Sequence, residues 1–391
     1  MRPGAKHRAG PPFWHDFGDD HDHEHEADAD GAASPGDFYY ADNIELTTVG
    51  IDIGSSTSHL MFSRLHMQRL GKYLSSRYVV VKRETLHRSP ILLTPYRADN
   101  TIDPDVLDAF IRQVYADAGL SPTDIDSGAV ILTGEAIKRT NARAVADLFA
   151  DHAGKFVCAS AGHNLEAILA ANGSGAVERS RAPRQTVLNV DVGGGTSKLA
   201  VVRGGQVLET AAINVGGRLV AFDPHGAVVR IEPSARVVAE RLGIDLHLGQ
   251  PIADTDRHRL AGALADCLFE AIRRDPLGEA ARQLMLTEPL ATDGPIDHVT
   301  FSGGVAEYLY RRETRDFGDL ARPLASAIRS RIDRHQLPAR LHSSAERIRA
   351  TVIGASQFTV QVSGNTIAIS RPDRLPLHNL PVLHPHLADG P

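Results

Sequence analysis

Cysteine, methionine and tryptophan are scarce in this sequence, at 2, 4 and 1 in 391 residues, and aromatic residues make up only 5%. With Cys158 and Cys267 alone, a disulfide framework and a cysteine zinc site are excluded, and a reducing, cytoplasmic compartment is expected. No apolar run approaches the roughly 18 residues of a membrane span, so a membrane is not an expected partner. The first residues, MRPGAKHRAGPPFWHDFGDD, lack the apolar stretch of a secretory signal. No G-x-x-x-x-G-K-[ST] occurs, which removes a P-loop. Nor is there a surplus of basic residues. From Ile44 onward 39 bases face 38 acids, so nucleic acid is not an expected partner either. The net charge of -6 arises in residues 11–43, which hold ten acids and no Lys or Arg.

What remains is the composition of a globular chain, with 42% hydrophobic and 23% charged residues. Residues 1–36 read as a disordered acidic, His-rich leader. Its HDHEHEADAD stretch reads as solvated, with at most loose metal chelation. Beyond it, strand-like runs (Val49–Ile53, Tyr78–Val81, Ala129–Leu132, Val187–Val192, Leu199–Val202, Val299–Phe301) are interspersed with helical ones. The helices expected are Pro104–Ala118, Ala142–His152, Leu165–Ala171, Ser234–Arg241, Arg257–Arg274 and Pro323–Arg334. Alternation of this kind is α/β. The polar, Gly- and Arg-rich segment 173–185 is the main candidate for a domain boundary.

An internal repeat carries the chemistry. Gly50-Ile-Asp-Ile-Gly-Ser-Ser-Thr-Ser-His-Leu60 returns as Asn189-Val-Asp-Val-Gly-Gly-Gly-Thr-Ser-Lys-Leu199, with Asp, Gly, Thr, Ser and Leu at the same offsets. Each copy is a strand, a turn of small residues and a second strand. Glycine there tolerates positive φ, and successive N–H groups aimed at one point form an anion nest. Gly54, Ser55, Ser56 and Thr57 would form one nest, and Gly193, Gly194, Gly195 and Thr196 the other. Asp52 and Asp191, at the strand ends, would flank the phosphates of a nucleotide, and one or two carboxylates suit Mg²⁺. A Rossmann turn fits worse, because the residues after Gly195 read as a strand. The pair Gly303-Gly304, after Ser302 at the end of a strand, lets the backbone approach a flat ligand such as a nucleoside. Glu166, in a helix ending the first half, either orients a water or Mg²⁺ ligand or is an ordinary solvent-facing or helix N-terminal acid.

In this order, these elements resemble the actin/Hsp70/sugar-kinase ATPase superfamily. Its phosphate-1 hairpin looks like 50–60, its connecting helix like 163–173, its phosphate-2 hairpin like 189–199 and its adenosine motif like 301–307; Ile348–Phe358 resembles its second connecting helix. The resemblance implies two RNase H-like domains, at 37–180 and 181–362, with ATP and Mg²⁺ in the cleft between them. Residues 363–391 would be a C-terminal extension, and the last helix before them could return to the first domain. Asp37-Phe-Tyr-Tyr-Ala-Asp-Asn43, the strings at 83–96 and 133–142, and Asn214-Val-Gly-Gly-Arg-Leu219 are similar to the ethanolamine ammonia-lyase reactivating factor family, the EutA family. That implies a chaperone-like ATPase whose partner is ethanolamine ammonia-lyase and which expels damaged cobalamin. Catalysis would rest on Asp191 or Glu166 to position water and on Asp52 for the Mg²⁺ shell. The competing functions on this fold are a small-molecule kinase and a nucleotide-controlled filament or scaffold protein.

Overall fold

The computed structural model describes residues 43–69, 78–97, 101–133, 156–160, 162–182, 185–344 and 346–358. The leader, the string at 37–42, most of 133–142, the helix expected at Ala142–His152 and the C-terminal extension lie outside them.

Strands β1 (Asn43–Ile53), β2 (Thr57–Arg69), β3 (Tyr78–Arg88) and β4 (Leu92–Leu93) precede helix α1 (Pro104–Ala118). After α1 come β5 (Ser127–Leu132), β6 (Phe156–Ser160) and the helices α2 (His163–Gly173) and α3 (Ala176–Ser180). The second series opens with β7 (Thr186–Val192), β8 (Ser197–Arg203), β9 (Gln206–Ile213), β10 (Val220–Phe222) and β11 (Val228–Ile231). It continues with α4 (Pro233–Leu242), α5 (Asp254–Arg273), α6 (Glu279–Leu284), β12 (His298–Ser302), α7 (Gly304–Leu309), α8 (Ala321–Asp333), β13 (Arg340–His342) and α9 (Ala350–Phe358).

The first main sheet runs β3-β2-β1-β5-β6 and the second β9-β8-β7-β12-β13. In both, the first three strands are antiparallel neighbours and the last two join in parallel. The sequence repeat is thus a repeat of topology, and the α/β architecture expected from the alternation is the one observed. Local chemistry explains the elements. Helix α1 starts where the Asp103 carboxylate accepts from the N–H groups of Asp105 and Val106, with Pro104 in the first turn, and it stops at Gly119, φ 65°. Strand β7 is buried along its whole length, because the sheet is covered on both faces, and therefore reads as a continuous apolar run.

The two helices between the sheets position the site. Helix α2 ends the first series but buries Ala167 and Ala171 against Val187, Ala200 and Val202 of the second sheet. Helix α9, the last of the described elements, sets Val352 and Ile353 against Met61 of the first sheet. Each helix therefore lies on the sheet of the other series. The segment expected to be a polar boundary is partly built into this layer, since Ala176 and Val177 of α3 are buried with the α2 alanines. Where α2 and α9 cross, backbone meets backbone. A Cβ on Gly173 would lie 2.6 Å from the Ala350 carbonyl carbon, and one on Gly354 would lie 2.6 Å from that of Leu169. Gly354→Val is therefore expected to lower the thermal midpoint by several degrees, at a cost of about 2–3 kcal/mol from overpacking. Thermal melting with circular dichroism checks it; an unchanged midpoint would mean that the helices part freely.

Candidate functional site

The repeated Asp–Gly turns sit at corresponding ends of the two sheets and face each other. In the first, the Gly54 N–H donates to the Thr57 carbonyl at 2.9 Å; in the second, Gly193 does the same to Thr196 at 3.0 Å. None of these turn glycines has a positive φ, so the expectation that they supply left-handed backbone is corrected. They supply space. A Cβ on Gly194 would stand 2.5 Å from Ser56 Cβ and closer still to its Oγ, so the hairpins touch across the cleft at these two residues. Positive φ belongs instead to Gly303, at 84°, where a Cβ would meet the Val192 backbone.

The hairpin carbonyls are held by neighbours. Thr94 Oγ1 donates to Gly54 O at 2.7 Å, Tyr96 Oη to Ser55 O at 3.0 Å and the Thr94 N–H to Ser56 O at 3.0 Å. In the second hairpin, the N–H groups of Gly217 and Arg218 donate to Gly193 O and Gly194 O at 2.9 and 2.6 Å. In a trans peptide, N–H points opposite to C=O. Pinning these carbonyls therefore turns the N–H groups of Ser55, Ser56, Gly194 and Gly195 the other way, as an anion nest requires. Thr94, Tyr96, Gly217 and Arg218 carried no role in the sequence reading. Two of them lie in the Asn214–Leu219 string and two in the 83–96 string, whose use is thereby explained.

Beneath the hairpins is a charge cluster. Asp52, Asp191, Glu166 and Lys198 are 7%, 6%, 3% and 6% exposed. Lys198 makes an ion pair with Glu166 and lies directly across the β7–β8 ladder from Asp191. Burial works against its charge, but Glu166 and then Asp191 outweigh that and hold it raised. Glu166 is thus neither solvent-facing nor a simple helix-terminal acid. Asp191 accepts from Ser302 Oγ at 2.6 Å, and Ser302 Oγ in turn accepts from Asn189 Nδ2 at 3.2 Å. Burial raises the Asp191 carboxyl, opposed by Lys198 and Ser302. Asp52 accepts from Thr133 Oγ1 at 3.0 Å and is pushed up to about 7, by burial first and then by the Glu166 charge.

A cavity of about 480 Å³ is lined by Asp52, Asp191 and Glu166, by Gly54, Ser55, Ser56 and Thr57, and by Gly193, Gly194, Gly195 and Thr196, with Gly303 and Gly304. Ser302 is the exception among the expected ligand contacts. It is fully buried and reaches the site only through Asp191. Lys198 is the main omission of the sequence reading. The repeat held the signal, because His59 and Lys198 occupy the same offset, opposite Asp52 and Asp191 respectively. His59 is 2% exposed, lines the cavity and is pushed down to about 3 by burial and then by Arg349. Past Gly304 the wall is made by Glu307, Tyr308, Arg312, Arg315 and Phe317.

The Asp52 shift has a testable consequence. An acid raised in the folded state gives stability that is complete below its unfolded value of about 3.8 and is lost as pH rises through about 7. Asp52→Asn removes that loss. The variant should melt with wild type at pH 4 and several degrees above it at pH 8, the gap widening up to pH 7 and then staying constant. A gap independent of pH would sink the assignment of that shift to Asp52.

Three buried carboxyl groups share one buried ammonium, so the site holds more oxygen donors than its own cation engages. That donor set fits a hard dication such as Mg²⁺, which takes oxygen ligands and one or two carboxylates. Among the described residues no helix is long and apolar enough to cross a membrane.

Residues 44–390 match the family described as "Ethanolamine utilisation protein EutA". The chain is 37% identical over 346 residues to the ethanolamine ammonia-lyase reactivase EutA of Salmonella typhimurium strain LT2, covering 87% of this chain and 73% of that protein. It is 37% identical over 354 residues to the protein of the same name from Escherichia coli K12, with the same coverage. Among solved structures, an exopolyphosphatase from Cytophaga hutchinsonii aligns at a TM-score of 0.45 and 14% identity, over 82% of this chain and 100% of that one.

Proposed function

The chain belongs to the ethanolamine utilisation protein EutA family, and from that premise we propose that it is an ATP-dependent reactivating factor for ethanolamine ammonia-lyase, acting in the cytoplasm. The observation that carries the nucleotide part of this reading is the contact of the two hairpins at Ser56 and Gly194, with their carbonyls held back by neighbouring groups. A triphosphate chain carries several negative charges and needs donors from both sides, and this is the arrangement the two nests offer. The nucleoside would lie along Gly303-Gly304, against Tyr308 and Phe317.

Mg²⁺, when bound, would neutralise the phosphates, with Asp52 and Asp191 as its holders. Asp191, fixed by Ser302, is the group we assign to orienting the attacking water. Glu166, engaged by Lys198, sets the field of the site. Helices α2 and α9 each lie on the sheet of the other series, so a change in the cleft is felt at their crossing. A hinge of this kind would alter the surface that grips the lyase, and cobalamin that has lost its adenosyl group would be released.

The test mixes the protein, Mg-ATP and cyanocobalamin-inactivated ethanolamine ammonia-lyase, then adds fresh adenosylcobalamin and follows lyase activity. Recovery that requires both this protein and ATP is expected. No recovery, together with phosphate transfer to a small acceptor or nucleotide-dependent sedimentation, would move the assignment to a kinase or a filament protein.

A further inference from the structure

Part of the cavity wall is formed by residues to which the nucleotide reading assigns no role. Beyond the first hairpin the cavity continues between β2, the segment Ser89–Leu93 and the start of α9, where it is lined by His59, Pro90, Ile91, Leu93, Arg349 and Thr351. Neither ring nitrogen of His59, nor Nε of Arg349, has a hydrogen-bond partner among the described residues. An unpaired buried polar atom costs about 1–3 kcal/mol, so a group of them in a cavity wall marks a place where a polar ligand gains most.

The charge balance says which ligand. Arg349 spends one Nη2 hydrogen bond on the Ser89 carbonyl, at 2.7 Å. The two carboxylates beside Arg349 are already engaged: Glu346 pairs with Arg88, and Glu307 with Arg347 at 3.1 Å. Three guanidinium groups therefore share two carboxylates, and among the described residues Arg349 has no ion pair. It directly precedes α9, whose first turn adds N–H groups and the positive end of the helix dipole. The neutral His59 ring adds one N–H. Apart from the second His59 ring nitrogen, which accepts, and Asp52 across the β1–β2 ladder from His59, the compartment presents donors around one positive charge beside the phosphate hairpins, which suits a small tetrahedral oxyanion.

We propose that this compartment is a second oxyanion site, which holds inorganic phosphate after it leaves the nucleotide. The proposal rests on the reading of the cleft as a nucleotide site, because nucleotide is what would supply the phosphate. The carbon-rich side, Pro90, Ile91 and Leu93, keeps competing water away and makes each donor count for more.

The experiment is a calorimetric titration of the full chain with sodium phosphate, with and without Mg-ADP, alongside a titration with Mg-ADP alone. Wild type is expected to bind one phosphate in either condition. Arg349→Met, which keeps the stem but loses the charge and Nε, should weaken phosphate at least tenfold, and His59→Phe severalfold. If Arg349→Met does not fold, Arg349→Lys takes its place: it keeps the charge but not the planar donor fork, and phosphate should weaken by a smaller factor. Wild type that binds Mg-ADP but not phosphate overturns the proposal and leaves the nucleotide reading standing. Phosphate bound with equal affinity by wild type and the Arg349 variant overturns it too. Phosphate binding that depends on Arg349 in a protein that does not bind Mg-ADP upholds the oxyanion site and overturns the nucleotide source.

Discussion

Gly194→Val is expected to weaken ATP binding by a factor on the order of 10² or more, about 2.7 kcal/mol, in a protein that still folds. The reason lies in the facing hairpin. A Cβ at 194 would stand 2.5 Å from Ser56 Cβ, and valine adds two methyl groups to that clash. The hairpins must separate, so donors from both sides no longer converge on one phosphate chain. Folding should survive, because Gly194 is only half-buried, lies at the cleft surface and has no positive φ to lose. The clash is with one small side chain, which gives a control. Gly194→Ala alone should weaken ATP severalfold, and adding Ser56→Gly should recover most of that. Isothermal titration with Mg-ATP measures all three variants. A soluble Gly194→Val protein with wild-type affinity would show that the second hairpin is only a turn.

How much of this site was legible follows from what kind of interaction built each part. The hairpins were legible because a short strand, an Asp and small residues form a local pattern, and its recurrence marks a duplication. Helix α1 was legible to the residue, since Asp103, Pro104 and Gly119 are local signals at its two ends. Lys198 was not singled out, because a lysine after a glycine turn normally points to water. Only the long-range placement of α2 on the second sheet puts Glu166 beside it. Ser302 was read as a ligand contact, because proximity to a glycine pair in sequence does not say which face of the strand a side chain takes. The β7–β12 register turns it onto Asp191. Thr94 and Tyr96 were invisible for a similar reason: their function is to hold carbonyls more than 35 residues away in the chain. Local geometry is encoded locally, and the polar network that tunes the site is encoded by the crossing of the two halves.

That network sets the result expected for Asp52→Asn, Asp191→Asn and Glu166→Gln, three changes of equal size and unequal consequence. Asparagine at 52 still accepts from Thr133, and asparagine at 191 still accepts from Ser302. Shape is kept, and one charge is lost beside the phosphates. ATP should still enter, because the N–H nests and the Gly303-Gly304 turn are untouched. Hydrolysis should fall by a factor on the order of 10² or more in each, as for loss of one electrostatic or acid–base group. Glu166→Gln behaves differently. It leaves Lys198 buried without its ion-pair partner, and breaking a buried pair from one side costs about 3–5 kcal/mol. That variant should lose thermal stability as well as activity, whereas Asp191→Asn, which removes a carboxyl that burial raises, should melt at or above wild type at neutral pH. Melting therefore separates the group that holds the site together from the group that orients water. Phosphate release, ATP affinity and lyase rescue are measured on the same preparations. Rescue by a variant that binds but does not cleave would mean that nucleotide binding alone drives cobalamin out. If both aspartate variants hydrolyse ATP at the wild-type rate, the reacting phosphate lies elsewhere than between Asp52 and Asp191.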